Sequence, residues 1–187
     1  MGERYEIRLA GSGGQGLILA GLILAEAVVL HDGKNACQTQ SYGPEARGGA
    51  SKSEVVIDDD EIDFPKVIAA DALLTLSQEA CDKYYHDLER DGLLIVDSVH
   101  VRRVPTSRAY RLPITQIAED VTGRRITANI VGLGVLAGIA ELCGRRFVSR
   151  DALRAAVAAR APEGTRTINL QALDAGFEAA EHAVNEG

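Results

Sequence analysis

An α/β fold, with a largely parallel sheet flanked by helices, is predicted by three features of this 187-residue chain. Short runs rich in Val, Ile and Leu alternate with longer apolar or amphipathic runs, the pattern of strand–helix units. The first strand-like run ends in "GSGGQG" and passes directly into a long apolar stretch, the context in which glycines join a strand to a helix. No repeat, low-complexity linker or second core interrupts the chain, so residues 1–187 are expected to form one domain.

Each element follows from its residues. "YEIRLAG" (Tyr5 to Gly11) is the first strand. The apolar stretch that follows the glycines runs to Leu30, too long for a strand, and its Leu, Ala and Ile suit a helix buried on most of its circumference, with Gly33 placed to end it. "NACQT" and "SEVVI" (Ser53 to Ile57) are the next strands, and the acidic run Asp58 to Glu61 is a solvated turn. "ADALLTLS" resembles a buried parallel strand, with Ser77 placed to cap the helix "QEACDKYYHDL". "GLLIVDS" is the clearest central strand, and "AYRLP" a short one that Pro113 ends before a helix through Val121. "TANIVGLGVLAGIAELCG" is a mostly buried helix in which Gly132, Gly134 and Gly138 allow a close neighbour. Ser149 caps a helix through Ala161, and Leu170, Leu173, Phe177, Ala180 and Val184 recur at helical spacing in the last one.

Composition narrows the function. The net charge of −7 and a pI near 5.1 argue against a nucleic acid partner, for which a basic face is expected, and against an anionic membrane surface. Cys37, Cys81 and Cys143 are far apart, with no C-x-x-C spacing, so neither a disulfide framework nor a cluster or zinc pattern is present and a reduced cytoplasmic setting is expected. The four histidines are equally scattered, and no metal site is expected. "LILAGLILAEA" has the apolar character of a signal peptide, but it follows a mixed-charge start and a polar glycine-rich break, and it is shorter than the roughly 20 residues of a membrane span.

Chemistry concentrates in two loops. Gly11, Gly13 and Gly16 match G-x-G-x-x-G between strand and helix, where main-chain amides and the helix start attract an anion. With this motif the fold is Rossmann-like. A dinucleotide site also wants an acid about 20 residues on, to grip the ribose, whereas this chain has Gln38, Thr39, Gln40 and Ser41. A stand-alone NAD(P)-dependent oxidoreductase is therefore disfavoured, and two readings stay open: a phosphate-bearing ligand other than NAD, or glycines that serve packing alone. The second loop, "TQSYGPEARGG", is polar and irregular. Gly43-Pro44 forces a turn, Gly48-Gly49 permits positive φ, and Arg47 can hold a phosphate or carboxylate through paired hydrogen bonds. It is expected to leave the second strand beside the first loop, at the same end of the sheet.

"RLAGSGGQGLILAGLILAEA" followed by "QTQSYGPEARGGASKSEVVI" resembles the gamma subunit of 2-oxoacid:ferredoxin (acceptor) oxidoreductases, and the 2-oxoglutarate subgroup most of all. The paired motifs G-x-G-G-Q-G and Y-G-P-E-x-R-G-G are far more specific together than either alone, and the likeness runs from Tyr5 to the helix that contains Asn129. It implies a non-autonomous subunit of a multi-subunit enzyme that oxidatively decarboxylates a 2-oxoacid onto coenzyme A, or runs the reverse carboxylation. Thiamine diphosphate, magnesium and iron–sulfur clusters would lie in alpha and beta partner subunits, which pass electrons to ferredoxin. This chain would help cover the active site and receive coenzyme A. Candidate ligand contacts are Gly11, Ser12, Gly13, Gly14, Gln15, Gly16, Arg47, Ser51, Lys52, Ser53 and Asn129. The loop facing the partners would be formed by Ser41, Tyr42, Gly43, Pro44, Glu45, Arg47, Gly48 and Gly49. The basic pairs Arg102-Arg103 and Arg124-Arg125 are weaker phosphate candidates, and no residue is nominated as acid, base or nucleophile. A purely architectural subunit is the remaining alternative.

Overall fold

In the computed structural model, which describes residues 3–41 and 49–185, the chain forms one six-stranded sheet in the order β2-β3-β1-β4-β5-β6. The strands are β1 (Tyr5–Ser12), β2 (Asn35–Ser41), β3 (Ala50–Asp58), β4 (Ala70–Thr75), β5 (Leu88–Asp97) and β6 (Tyr110–Leu112). The helices are α1 (Leu17–His31), α2 (Gln78–Tyr84), α3 (Ile114–Thr122), α4 (Ala128–Leu142), α5 (Arg150–Arg160) and α6 (Arg166–Asn185). β1, β4, β5 and β6 pair in parallel, and β3 pairs antiparallel with both β1 and β2. Only β3 opposes the common direction, so the largely parallel α/β sheet is borne out. One placement differs from expectation. β5 lies one strand from the edge, and β1 and β4 are the central pair. β5 reads as central because helices cover both its faces, which makes its sequence continuously apolar.

β2 forms the sheet edge, with β3 between it and β1. Local pattern shows that both segments are extended. Which of them pairs with β1 is decided by the hairpin return, which matches Ser12 with Ala50 and Gly11 with Ser51.

Strand alternation divides the core in two. Ile7, Leu9, Val55, Leu74 and Ile95 point to the face covered by α1, α3, α4, α5 and α6. Ala10, Leu73, Leu94 and Val96 point to the opposite face, where α2 contributes Ala80, Cys81 and Tyr84. The segment Arg125–Leu142 is apolar and long enough to cross a bilayer, but α4 is a core helix, buried from Ala128 to Ala140. The predicted caps form as well: Ser77 Oγ accepts from the Ala80 amide and Ser149 Oγ from Ala152.

Candidate functional site

Five strands end together at the carboxyl edge of the sheet, at Ser12, Ser41, Thr75, Asp97 and Leu112, and β3 begins there at Ala50. From β1 the chain runs outward to β2 and β3, then crosses back to β4 on the other side. The β1–β4 junction is thus a topological switch point, where the following helices leave on opposite faces and open a crevice. The loop after β1 occupies this junction. Leu76 N extends the pairing by donating to Ala10 O at 2.9 Å.

Within the loop the backbone is held by side chains from three directions. Gln15 folds back, so that its Oε1 accepts from Ser12 N at 2.7 Å while its Nε2 donates to Leu76 O at 3.2 Å. Ser51 Oγ donates to Gly11 O at 3.3 Å. From α4, Asn129 Nδ2 donates to Gly16 O at 3.0 Å, the carbonyl that also accepts the first helical bond of α1 from Ala20 N. Gly16 is left-handed, with φ 74°, and no described side chain caps α1. The leading amides of that helix are therefore available to an anion. Gly14 is left-handed too, at φ 85°. Gly13 and Gly14 are exposed, and the space where their side chains would be is open.

The remaining candidates separate by strand face. Ser51 and Ser53 share the α1 side, Ser53 being fully buried and accepting from Gln38 Nε2 at 2.8 Å. Lys52 lies on the α2 side, 2.8 Å from Glu54 and over the Tyr84 ring. Glu54 also receives Arg8, a buried cation that reaches Asp87 as well, both at 2.7 Å. Tyr84 OH donates to Ala50 O at 3.4 Å, at the exit of the second loop. Tyr42, Gly43, Pro44, Glu45, Arg47 and Gly48 lie outside the described residues. Their flanks, Ser41 and Gly49, belong to the same sheet edge as the first loop, since Ser41 is in register with Lys52 and Ser12 with Ala50.

Of the basic pairs, Arg102 and Arg103 are fixed at this edge. Their amides donate to Gln78 Oε1 at 2.9 and 3.0 Å, and Gln78 Nε2 donates to Arg103 O. Arg125 is engaged by Glu119 at 2.7 Å. The cysteines occupy β2, α2 and the end of α4, and no group of His, Cys, Asp and Glu suited to a metal ion occurs among the described residues. These residues do not fit an iron–sulfur cluster.

Residues 6–179 match the family described as pyruvate ferredoxin/flavodoxin oxidoreductase. The chain belongs to this family. It is 49% identical over 182 residues to the 2-oxoglutarate synthase subunit KorC of Methanocaldococcus jannaschii, a match covering 95% of each chain. The gamma subunit of the keto/oxoacid ferredoxin oxidoreductase from Geobacter sulfurreducens superposes with a TM-score of 0.85 at 49% identity, covering 97% of this chain and 98% of that one. A 2-oxoglutarate:ferredoxin oxidoreductase from Magnetococcus marinus, solved with 2-oxoglutarate, coenzyme A and succinyl-CoA bound, shares the fold at TM-score 0.82 and 21% identity, over 96% of this chain and 31% of that one. The expected kinship with gamma subunits, with the 2-oxoglutarate branch foremost, is borne out. The chain is an oxidoreductase-complex subunit of the 2-oxoacid:ferredoxin type.

For this gamma-type chain, sequence reading named Gln15, Ser51, Lys52 and Asn129 as ligand contacts but missed Arg8, Glu54, Gln78 and Leu76, which brace the loops beside them. Arg8 was a charge inside an apolar strand, and Glu54 and Lys52 follow the same alternation on a neighbouring strand, a readable signal of a buried ion cluster. Gln78 and Leu76 carried no signal, because their role depends on which elements meet at the junction.

Proposed function

We propose that this chain is the gamma subunit of a cytoplasmic 2-oxoglutarate:ferredoxin oxidoreductase, with residues 1–187 acting as one gamma-type domain. The assembly cleaves the bond between the carboxylate and the keto carbon, releases carbon dioxide, transfers the acyl group to the coenzyme A thiol and passes the electrons to ferredoxin. The reverse carboxylation uses the same groups. Alpha and beta subunits hold thiamine diphosphate, magnesium and iron–sulfur clusters, and this chain closes over the coenzyme A side.

One observation carries the reading: Gly13 and Gly14 face open space at the switch point, beside the uncapped start of α1. A packing-only role explains Gly11, Gly16 and Gly21, whose side-chain space is filled by Gln15, Asn129 and Ser53. A left-handed turn explains Gly14 as well, at φ 85°, but it leaves Gly13 without a reason. Their amides and the α1 start suit a phosphate of coenzyme A. The loop from Ser41 to Gly49, with Arg47 as its cation, supplies the facing side and the contact with the sister subunits. Ser51, Lys52 and Ser53 hold the strand beneath it. An NAD(P) role lacks support, because no carboxylate stands at the end of β2 and β2 does not border β1.

Affinity purification of the tagged chain from its own cells tests the assembly: thiamine- and cluster-bearing chains co-purify, and the isolated chain shows no turnover. In the reconstituted complex, Arg47→Ala raises the KM for coenzyme A or weakens subunit association. Unchanged association together with an unchanged KM contradicts the proposal.

A further inference from the structure

Three glycines and one glutamine make a turn that, left to itself, samples many backbone states, because glycine lacks the steric restriction of a Cβ. A site that relies on main-chain amides needs that freedom removed before the ligand arrives. Beside the turn's own bond from Gln15 N to Ser12 O and the Ser51 bond to Gly11 O just before it, the described contacts that remove it come from two side-chain amides. Gln15 ties Ser12 to Leu76, that is, β1 to the β4–α2 junction. Asn129 ties Gly16 to the first turn of α4, across 113 residues of sequence.

Asn129 has the features of a strut. It is 4% exposed, and both ends of its amide are engaged by protein: Nδ2 by Gly16 O, and Oδ1 by Ile130 N at 2.9 Å. The second bond is local and serves the helix start. The first has no local purpose. A Cβ on Gly16 would lie 2.5 Å from Nδ2, so the absent side chain of Gly16 is what admits the amide. The helix that presents Asn129 is a rigid support, with Gly132 against Leu74 of β4 and Gly134 against the backbone of α6.

We infer that Asn129, seconded by Gln15, is a positioning residue that holds the Gly13–Gly16 turn ready for its ligand and does not itself touch that ligand. That the ligand is coenzyme A rests on the proposed function. The positioning does not.

Asn129→Asp separates the two bonds, since its carboxylate still accepts from Ile130 N but no longer donates to Gly16 O. Asn129→Ala removes both and serves if the aspartate fails to fold. Hydrogen exchange is measured on the full chain, and steady-state kinetics on the reconstituted complex. The expected result is exchange at least about tenfold faster at residues 11–17, with β4 and the remainder of α4 still protected. The KM for coenzyme A rises about fivefold or more, while kcat and the KM for the 2-oxoacid hold. Unchanged exchange in the turn, or faster exchange spread evenly over α4 and β4, overturns the inference. Faster exchange in the turn with an unchanged KM for coenzyme A upholds the strut and removes coenzyme A as its ligand.

Discussion

The two faces of the sheet solve the same problem with different chemistry. On one, five helices bury a core made almost wholly of aliphatic side chains, and α4 crosses α6 so closely that Gly134 and Gly176 meet backbone to backbone. On the other, α2 supplies a small apolar cluster, and beside it lie Arg8, Glu54, Asp87 and Lys52, with Arg8, Lys52 and Lys83 stacked near the Tyr84 ring. The aliphatic face positions Asn129 through a rigid helix. The charged face fixes Ala50 and Lys52, where the second loop re-enters the sheet. Burial thus sets the first loop and electrostatics the base of the second, and the two respond to different perturbations.

The largest effect is expected on the aliphatic face. A side chain at Gly134 collides with Leu173 O and comes within 3.0 Å of Gly176 Cα, which are backbone atoms that cannot turn aside. Gly134→Val should cost about 3 kcal/mol or more, lowering Tm by roughly 6 °C or more. A loss under about 1 kcal/mol in denaturant titration would show that the helix pair yields easily.

On the charged face, Arg8→Met strands Glu54 and Asp87. A stranded buried charge usually costs about 3–5 kcal/mol, but Lys52 still faces Glu54 and Asp87 is half-exposed. About 2 kcal/mol is therefore expected, by the same reasoning. Arg8→Met/Glu54→Leu should recover most of it, since a well-packed apolar pair can replace a buried ion pair. A double variant no better than the single one would mean that the pair itself, and not the stranded charge, holds the face together.

A smaller effect concerns pH. Burial pushes the Asp71 carboxyl up, the Glu6 amide that it accepts pulls it part of the way back, and the Glu6 carboxylate pushes it up again. A raised pKa means that the folded state holds this proton more tightly than the unfolded one. Stability from this group is therefore full below the unfolded carboxylate value of about 3.9 and declines as pH rises through the raised value. Asp71→Asn should be more stable than the parent near neutral pH, with the difference shrinking in acid. A parent–variant difference that stays constant with pH would count against this assignment.

The least demanding measurement compares the thiols. Cys81 is buried on the sheet-facing side of α2 with its thiol pushed up by burial, Cys37 is half-buried and Cys143 exposed. A disulfide reagent should modify Cys143 first and Cys81 last, because the thiolate attacks and must be reached. Early modification of Cys81 would reveal that the α2 face opens more readily than its packing implies.

Much of this molecule was legible in its residues. The end of β1 at glycine, the serine caps of α2 and α5, the proline before α3 and the glycines of α4 each act within a few positions, so the order of elements followed directly. The site was half legible. The motif around Gly11 to Gly16 pointed to the carboxyl edge of the sheet, where the candidate site lies, and Asn129 was linked to it through family resemblance. The functions of Gln15, Gln78 and Arg8 were hidden, because each depends on a partner brought close only by the folded topology.

The sequence by itself determined which segments are strands and helices, which faces are apolar, and that a glycine turn joins β1 to α1. Those properties arise from side-chain periodicity and local backbone preference. Only the tertiary structure decided that β3 stands between β2 and β1, that Arg8 of β1 meets Glu54 of β3, and that an α4 amide closes on Gly16. Strand order and contacts across 113 residues come from how whole faces pack together, a balance that no short window of residues contains.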